Sequence, residues 1–447
     1  MNLTNFQHKV NSNKFKNVLI LGKGKSASSV FDYLKNYEGI DIDIVEEDEL
    51  DVSKSYDLCI TSPGISEFSD FYNKAKKISK EVISEVEFAY RESEKDSVWV
   101  AITGTNGKTT TTSLIEHILK SSGVNAVAVG NIGQTCISKV DGNPKVYVCE
   151  CSSYQLASTS AFCPDASAIL NITPDHLSWH KTFENYEQAK FKIFKNSKNR
   201  EDCLVYLDHP LRKELKVSNF RCVVKTDEDI EAREVVDPIR DDMQIKGEHN
   251  YLNAICATAI VQFLCKHKSF KQMMSNSGKR VPTFRNLKKG LLSFSPLEHR
   301  IEPCGEFDGV RFFNDSKATN VDSTIKALSA FERGNVILLL GGKDKNSSLK
   351  PLFDEIVKDF KSAGGPRVKH VICFGEARFR FYDELKGVRG CGVLIDKTKT
   401  LKDAFILSCL LAVSGDAILL SPACASFDEF SSFEQRGEVF KEMVRDL

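Results

Sequence analysis

The strongest constraint on how this chain folds lies at residues 102–110, which read Ile-Thr-Gly-Thr-Asn-Gly-Lys-Thr-Thr. The apolar run 98–102 precedes a stretch with apolar residues at helical spacing, so the pattern predicts a turn between a buried strand and a helix. Glycines at such a turn leave backbone N–H groups free to bind a phosphate. Lys108 would reach the outer phosphates and the Thr109 hydroxyl would hold Mg²⁺. We therefore predict a nucleotide site, although Ile102 stands where the usual phosphate loop has a glycine. An ordinary glycine–threonine turn is the alternative.

Composition limits the classes of function. The chain has 447 residues, enough for about three domains. Its 61 basic and 61 acidic residues cancel, so bulk charge gives no reason to expect a nucleic-acid or membrane partner. We find neither a signal-peptide pattern nor an apolar run long enough for a membrane span. The 14 cysteines include no Cys-x-x-Cys pair, which indicates reduced thiols. We expect a cytoplasmic monomer that acts on small molecules.

The first part of the chain, residues 1–92, alternates predicted strands with predicted helices in the manner of a doubly wound sheet. Its first strand, 17–21, runs into Gly-Lys-Gly-Lys-Ser-Ala, which would start a helix and suits a diphosphate about as well as a dinucleotide. Glu46 follows the second strand and would suit ribose hydroxyls. A nicotinamide-dependent dehydrogenase therefore stays open as an alternative function.

Two strand ends downstream of the phosphate loop carry acidic and imidazole groups. The strand 146–149 leads directly to Glu150, and the strand 168–170 leads to a segment that contains Asp175 and His176. An acid directly after an apolar strand, downstream of a phosphate loop, is where a Mg²⁺-binding carboxylate belongs. Because ligands of α/β sheets bind at the carboxyl ends of strands, we expect all three side chains to serve the site.

Three further features have ordinary structural explanations when only composition is considered. Lys190 lies beside the apolar face of a predicted helix, as a snorkelling lysine would. Asn250 precedes an apolar helix and would cap it. Residues 266–283 are basic and polar, which predicts an exposed loop.

Residues 297–447 predict another doubly wound sheet, because four apolar strands each lead into small or charged residues at their carboxyl ends. The predicted strands are 310–313, 336–340, 371–374 and 417–420. Their tips would form a second polar face.

Taken together, these stretches resemble the Mur ligases, the ATP-dependent enzymes that build the peptide of peptidoglycan, over nearly the whole chain. The motifs that carry the resemblance are 103–110, 150–155, 171–176, 314–320, 420–428 and 433–437. They are most similar to the branch of the family that adds D-glutamate to UDP-N-acetylmuramoyl-L-alanine. The resemblance implies that ATP phosphorylates the alanyl carboxylate and that the amine of D-glutamate attacks the acyl phosphate.

The resemblance also implies an α/β protein of three domains. Residues 1–92 would form a Rossmann-like domain that binds the UDP substrate. Residues 93–296 would form a central ATP-binding domain with a parallel sheet like that of P-loop ATPases. Residues 297–447 would form a Rossmann-like domain that binds the amino acid.

Roles for individual residues follow from the same resemblance. The catalytic residues would be Lys108, Glu150, His176, Lys190 and Lys317. Contacts to ATP would come from Gly104, Thr105, Asn106, Gly107, Lys108, Thr109, Thr110, Asn250, Asn253, Arg300 and Asp315. The UDP substrate would be bound by Gly24, Lys25, Ser26, Glu46, Ser62, Gly64, Asn131 and His176. D-glutamate would contact Thr319, Lys345, Ser426 and Phe433. Ligands of Mg²⁺ would be Thr109, Glu150, His176 and a carbamylated Lys190.

The chain departs from the family pattern at two places near the UDP substrate. Lys23 stands where an apolar residue is usual, and the acids at 46–48 stand where the family usually has an arginine. We expect the ammonium groups of Lys23 and Lys25, at the start of a helix, to offset the charge of both the diphosphate and the nearby acids. Another Mur-type or folylpolyglutamate-type ligase, or a nucleotide-binding module without catalysis, remains an alternative.

Overall fold

The computed structural model describes residues 15–196, 204–207, 223–224, 229–245, 247–331, 334–344, 348–357, 366–386 and 392–447. Lys345 of the predicted D-glutamate site lies outside these ranges. The described residues fall into two compact units, Met1–Met243 with Asn250–Phe294 and Gln244–His249 with Ser295–Leu447. None of the helices in these ranges is long and apolar enough to span a membrane.

The first unit begins with a four-stranded parallel sheet in the order β2-β1-β3-β4. Its strands are β1 Asn17–Leu21, β2 Asp41–Val45, β3 Leu58–Thr61 and β4 Val82–Ser84. Its helices are α1 Lys25–Leu34, α2 Asp70–Ile78 and α3 Glu85–Glu92. The apolar residues of β1 are fully buried because helices cover a parallel sheet on both faces. The strand order reverses at β1, which makes the carboxyl ends of β1 and β3 the expected ligand site.

The central sheet of the same unit has six parallel strands in the order β10-β9-β8-β5-β7-β6. The strands are β5 Val98–Thr103, β6 Ala126–Gly130, β7 Val146–Glu150, β8 Ala166–Ile169, β9 Leu204–Leu207 and β10 Val223–Val224. The helices are α4 Lys108–Ser121, α5 Ser153–Ala157, α6 Leu177–His180, α7 Phe183–Phe191, α8 Ile230–Val236, α9 Glu248–Lys266, α10 Lys268–Asn276 and α11 Phe284–Ser293. Every residue of β5 is buried, as expected of a strand with neighbours on both sides.

The second unit contains a six-stranded sheet in the order β11-β12-β16-β13-β14-β15. Its strands are β11 Glu302–Phe307, β12 Val310–Asn314, β13 Val336–Gly341, β14 Val368–Phe374, β15 Leu394–Lys397 and β16 Ala417–Ala423. Its helices are α12 Val321–Leu328, α13 Lys350–Ile356, α14 Arg378–Leu385, α15 Leu401–Leu411 and α16 Phe433–Arg445. Among the described strands of this unit, only β11 is antiparallel to its partner. The α/β class with three sheets is confirmed, and the domain limits at residues 92 and 296 stay a prediction.

The prediction of an exposed loop over residues 266–283 was wrong. Helix α10 occupies Lys268–Asn276, and Phe270, Met273 and Met274 form its buried face. Lysines and polar residues cover the other face, so the average composition hid an amphipathic helix.

Helix α3 contacts the segment before β8 of the central sheet through the buried carboxylate of Glu87. Its oxygens accept the N–H groups of Ser160 at 3.1 Å, Ala161 at 2.9 Å and Phe162 at 2.8 Å. Arg91 donates to the same carboxylate at 2.7 Å. Since both oxygens are hydrogen-bonded, the charge is tolerated inside the protein. Apolar residues from the N-terminal and central sheets therefore share one core.

Glu85, two residues earlier, has a pKa that makes stability depend on pH. Burial raises the pKa of its carboxyl group from 4.5 to about 7, although hydrogen bonds from the backbone N–H groups of Ile137 and Cys136 act in the opposite direction. A carboxyl group whose pKa is higher in the folded chain takes up a proton on folding. The contribution of Glu85 to stability is therefore full below pH 4.5 and is lost as the pH rises through about 7.

Glu85→Gln should remove this pH dependence. We expect the difference in the free energy of unfolding between native protein and variant to fall by about 2–3 kcal/mol across that pH range. Urea unfolding at a series of pH values measures the difference. Glu38→Gln, at an exposed carboxylate, is the control and should leave the slope unchanged. A native-minus-variant difference that stays constant would contradict the raised pKa.

Candidate active site

The turn after β5 carries the predicted nucleotide residues, and its shape depends on two glycines. Gly104 and Gly107 have φ angles of 152° and 84°, which favour glycine. A Cβ at Gly107 would also come within 2.6 Å of Asn253 Oδ1. Helix α4 begins immediately afterwards at Lys108, so the N–H groups of residues 108–110 lie at a helix amino end. The strand, turn and helix predicted around the phosphate loop are present.

The segment that follows β8 holds the phosphate loop in place. The N–H of Thr105 donates to the carbonyl of Asn171 at 2.9 Å, and the N–H of Asn106 donates to Asn171 Oδ1 at 2.9 Å. The Thr105 hydroxyl donates to the carbonyl of Thr173 at 3.0 Å. The loop is thus anchored by residues 65 to 68 positions away, and sequence reasoning gave neither Asn171 nor Thr173 this role.

Two lysines meet at one carbonyl of the loop. Lys108 Nζ donates to the carbonyl oxygens of Gly104 and Thr105, each at 2.9 Å. Lys190 Nζ also donates to the Gly104 carbonyl at 2.9 Å. The ammonium of Lys108 and the amine of Lys190 thus lie together at the loop, where the positive charge of Lys108 suits a phosphate or another anion.

Lys190 is buried, with 2% of its surface exposed. Burial and the neighbouring charge of Lys108 lower the pKa of Lys190 well below its ordinary value, while Asp175 and Glu150 act in the opposite direction. Reading Lys190 as a snorkelling lysine was wrong, because its amine reaches inward to the loop instead of outward to water. A lowered pKa increases the fraction of free amine, which is the form that reacts with electrophiles.

Glu150 offers a carboxylate oxygen to this edge of the sheet. It ends β7 in register with Ile102, and only 2% of its surface is exposed. Asn131 Nδ2 donates to Glu150 Oε1 at 2.9 Å, and Oε2 is buried with no hydrogen-bond partner among the described residues. A buried carboxylate oxygen without a partner is costly unless a cation binds it. The residues present therefore fit a divalent cation.

Asp175 and His176 follow β8 at the same edge. His176 has a φ of 56°, and its Nε2 lies 3.6 Å from Asp175 Oδ2. Its ring lies 4.9 Å from the ring of Tyr154, measured between centroids. The imidazole is 40% exposed, and left-handed backbone at a residue other than glycine is common at functional positions.

A group of aromatic residues beside Lys190 was missed by the sequence reasoning. Tyr186 lies with its ring centroid 4.5 Å from Lys190 Nζ, and its hydroxyl is 2.9 Å from Thr105 Oγ1. His180 is buried, its Nε2 is 2.9 Å from Ser153 Oγ, and burial lowers its pKa to about 4. The Tyr186 ring therefore lies against the amine, and the ring of His180 packs on Tyr186 with 5.3 Å between centroids. The dense aromatic run 176–186 was the available signal.

The N-terminal loop carries residues predicted to bind the UDP substrate, and that role stays a prediction. The Ser62 hydroxyl is buried and has no hydrogen-bond partner in the described part of the chain. A Cβ atom placed on Gly22 would lie 3.0 Å from this hydroxyl oxygen. Glu46 Oε1 accepts the N–H of Lys23 at 3.0 Å. Lys23 Nζ pairs with Glu49 at 2.5 Å, whereas Lys25 Nζ donates to the carbonyl of Gly133. Lys23 therefore pairs with an acid in this structure, and the offset of a diphosphate by Lys23 and Lys25 stays a prediction.

The second unit holds the remaining predicted residues. Burial raises the pKa of Asp315 to about 7, and its Oδ2 accepts the Ser421 hydroxyl at 2.7 Å. Lys317 Nζ lies 3.7 Å from the centroid of the Phe433 ring. The Ser426 hydroxyl is buried without a partner among the residues that the structure describes. Phe433 and Ser426 were predicted at the D-glutamate end and Lys317 as a catalytic residue, and Thr319 and Arg300 also lie in this unit.

Arg436 belongs to the 433–437 motif and is buried, but no prediction gave it a role. Its guanidinium donates to the Ser316 hydroxyl at 2.9 Å and the Ser316 carbonyl at 2.8 Å. It also donates to the carbonyl oxygens of Cys424 and Ala425, each at 3.1 Å. Arg436 therefore joins the segment that carries Lys317 to the segment that carries Ser426.

Comparison with known proteins finds two family models that match the chain. A family model described as the Mur ligase middle domain matches residues 102–261. A second model, described as the Mur ligase glutamate ligase domain, matches residues 299–424. The chain is 38% identical to a UDP-N-acetylmuramoylalanine–D-glutamate ligase of Alkaliphilus oremlandii, over 89% of this chain and 85% of that protein. A protein of the same name from Caldicellulosiruptor bescii is 34% identical over 97% of this chain and 98% of its own length.

The chain belongs to the Mur ligase family. Solved structures of other Mur ligases share its fold. The UDP-N-acetylmuramate–alanine ligase of Thermotoga maritima matches 97% of this chain and 99% of its own, with a TM-score of 0.53 and 16% identity. The MurF ligase of Thermotoga maritima, solved in complex with ADP, matches 89% of this chain and 97% of its own, with a TM-score of 0.52 and 15% identity. The alternative of a nicotinamide-dependent dehydrogenase was wrong.

Proposed function

We propose that this Mur ligase joins D-glutamate to the alanyl carboxylate of UDP-N-acetylmuramoyl-L-alanine and uses ATP to do so. The observation that carries the proposal is the grouping of Lys108, Lys190 and Glu150 at one strand edge beside the phosphate loop. Relatives named UDP-N-acetylmuramoylalanine–D-glutamate ligase, which are similar over nearly the full length, support the choice of substrates.

The proposed reaction places negative charge between a phosphate and a carboxylate. The alanyl carboxylate attacks the terminal phosphorus of ATP and forms an acyl phosphate, with ADP as the leaving group. The amine of D-glutamate then attacks the acyl carbon, and phosphate leaves as the amide forms. Fixed positive groups that are already in position stabilise such charge at little reorganisation cost. Lys108 and the N–H groups of α4 are suited to the phosphate.

Mg²⁺ belongs to the same proposal. Thr109, Glu150, His176 and a carbamylated Lys190 would bind it, and the cation would draw charge from the phosphate and carboxylate oxygens. The buried Oε2 of Glu150 supports this assignment. The lowered pKa of Lys190 supports carbamylation, because the free amine adds to CO₂ and releases one proton. The product is a carboxylate-like ligand in place of an ammonium.

The remaining contacts are proposed from the family resemblance. ATP would be bound by the predicted residues from Gly104 to Thr110 and by Asn250, Asn253, Arg300 and Asp315. The UDP substrate would be bound by Gly24, Lys25, Ser26, Glu46, Ser62, Gly64, Asn131 and His176. D-glutamate would contact Lys317, Thr319, Ser426 and Phe433, with Lys345 outside the described residues.

We also propose that residues 1–92, 93–296 and 297–447 act as the UDP-substrate, ATP and amino-acid domains. The three separate sheets support this division. The proposal includes a cytoplasmic monomer that binds neither nucleic acid nor membrane, which the equal numbers of acidic and basic residues support.

A phosphate-release assay with a panel of amino acids tests the proposed function. With UDP-N-acetylmuramoyl-L-alanine, ATP and Mg²⁺ present, D-glutamate should give steady phosphate release. L-glutamate, L-lysine, L-alanine and D-alanyl-D-alanine should give little. Release that depends on any of these other acceptors would assign the chain to another ligase of the family. Release without any acceptor would indicate an ATPase.

A further inference from the structure

A series of hydrogen bonds connects the N-terminal loop to the carboxylate of Glu150. Lys25, the first residue of α1, donates from Nζ to the carbonyl of Gly133. Gly133 belongs to the segment that runs from Gly130, the last residue of β6, to Ile137. We call this segment the 130–137 loop. Inside this loop the N–H of Gly130 donates to the carbonyl of Gln134 at 2.7 Å. A side chain at the start of helix α1 therefore reaches the middle of a compact turn.

The start of the 130–137 loop lies directly on Glu150. The N–H of Asn131 donates to the Glu150 carbonyl at 2.9 Å, and Asn131 Nδ2 donates to Glu150 Oε1 at 2.9 Å. A Cβ at Gly130 would come within 2.4 Å of the Glu150 carbonyl oxygen, so the two backbones are in close contact. The position of this loop therefore determines which carboxylate oxygen of Glu150 accepts a hydrogen bond from the protein.

The far end of the 130–137 loop has a separate anchor. The N–H of Ile137 donates to Glu85 Oε1 at 2.6 Å, in a buried environment. The Lys25 ammonium is exposed, so its bond to Gly133 competes with water and with anions. The loop is thus held by its backbone at Glu150 and at Glu85, whereas its bond at Gly133 can exchange.

We propose that Lys25 is a latch that couples binding of a diphosphate at the start of α1 to the freedom of the Glu150 carboxylate. The inference rests on the proposed function, which brings a sugar-nucleotide diphosphate to Gly24 and Lys25. When the ammonium turns to the diphosphate, it gives up the Gly133 carbonyl. The middle of the 130–137 loop then shifts between its anchors at Glu150 and Glu85, and the side-chain amide of Asn131 moves from Glu150 Oε1 to the substrate.

The exchange leaves both oxygens of Glu150 available to a divalent cation. Sugar-nucleotide binding should therefore raise the affinity of Glu150 for the cation. By thermodynamic linkage the cation must raise the affinity for the sugar nucleotide by the same factor. Lys25 and Asn131 are positioning residues in this scheme, because they act on the cation through Glu150.

The test measures Mn²⁺ binding by electron paramagnetic resonance, without ATP, in the presence and absence of saturating UDP-N-acetylmuramoyl-L-alanine. In the native protein the sugar nucleotide should tighten Mn²⁺ binding about tenfold, a coupling of ordinary size. In Lys25→Met the factor should fall below about twofold. Lys23→Met is the matched control, since that ammonium pairs with Glu49, and it should keep the native factor.

Native coupling in Lys25→Met, or loss of coupling in Lys23→Met as well, would overturn the latch. Mn²⁺ affinity that does not respond to the sugar nucleotide in the native protein would also overturn it. These outcomes leave the proposed function standing, because the readout does not require ligation. If calorimetry shows that the native protein does not bind the sugar nucleotide, the proposed function fails, and the latch fails with it.

Discussion

Replacing Lys108 by methionine should reduce the turnover number by about 10²–10³-fold or more while the protein stays folded. The physical reason is the loss of a fixed ammonium at the phosphate loop, where its Nζ lies on the carbonyl oxygens of Gly104 and Thr105. Methionine keeps the length of the side chain, so the change removes charge and hydrogen bonds more than packing. Phosphate release under saturating substrates measures the effect, and circular dichroism checks the fold.

The control for Lys108→Met is Lys120→Met, which removes a lysine from the exposed carboxyl end of the same helix. Lys120 pairs with Glu116 at 2.7 Å, and such a surface pair contributes little. The control variant should therefore keep nearly native turnover. A Lys108→Met protein that also keeps native turnover would show that the phosphate is bound elsewhere.

Replacing Lys190 by alanine should abolish measurable activity, and small carboxylates should restore part of it. The buried amine lies at the phosphate loop with a lowered pKa, and we propose that it carries the carbamate that binds the cation. Alanine leaves a space in which formate or acetate can supply the missing carboxylate oxygens. The measurement is phosphate release against the concentration of each carboxylate at fixed ionic strength.

Lys192→Ala is the matched control for this experiment. Lys192 is two residues away and its Nζ donates to the carbonyl of Ala157 instead of the phosphate loop. Its alanine variant should lose little activity and gain none from added carboxylate. Full activity in Lys190→Ala, or inactivity that no carboxylate relieves, would contradict the carbamate assignment.

Much of the central site was predictable because its signals are local in sequence. The order of buried strand, glycines, lysine and threonine over residues 98–110 dictates a strand, a turn and a helix, and these are present. Glu150 was predictable for the same reason, since an acid directly after an apolar strand must emerge at the sheet edge. Both predictions needed only neighbouring residues.

Features that depend on distant residues could not be predicted from local pattern. Lys190 is buried where its Nζ donates to the carbonyl of Gly104, which is 86 residues away in the sequence. The bond from Lys25 to Gly133 joins residues 108 positions apart. Helix α10 was missed because its lysines outweighed three buried apolar residues in the composition. In each case tertiary packing set the environment of the side chain, because the local sequence was compatible with several environments.

The measurement that tests the central claim most directly is the mass of both products formed from a substrate labelled with ¹⁸O in the alanyl carboxylate. With ATP, Mg²⁺ and D-glutamate, the sugar nucleotide should gain one glutamyl residue and keep one labelled oxygen. The released phosphate should carry the other labelled oxygen, because the carboxylate becomes an acyl phosphate before the amine attacks. Addition of L-glutamate instead of D-glutamate, no added residue, or phosphate without label would contradict the account.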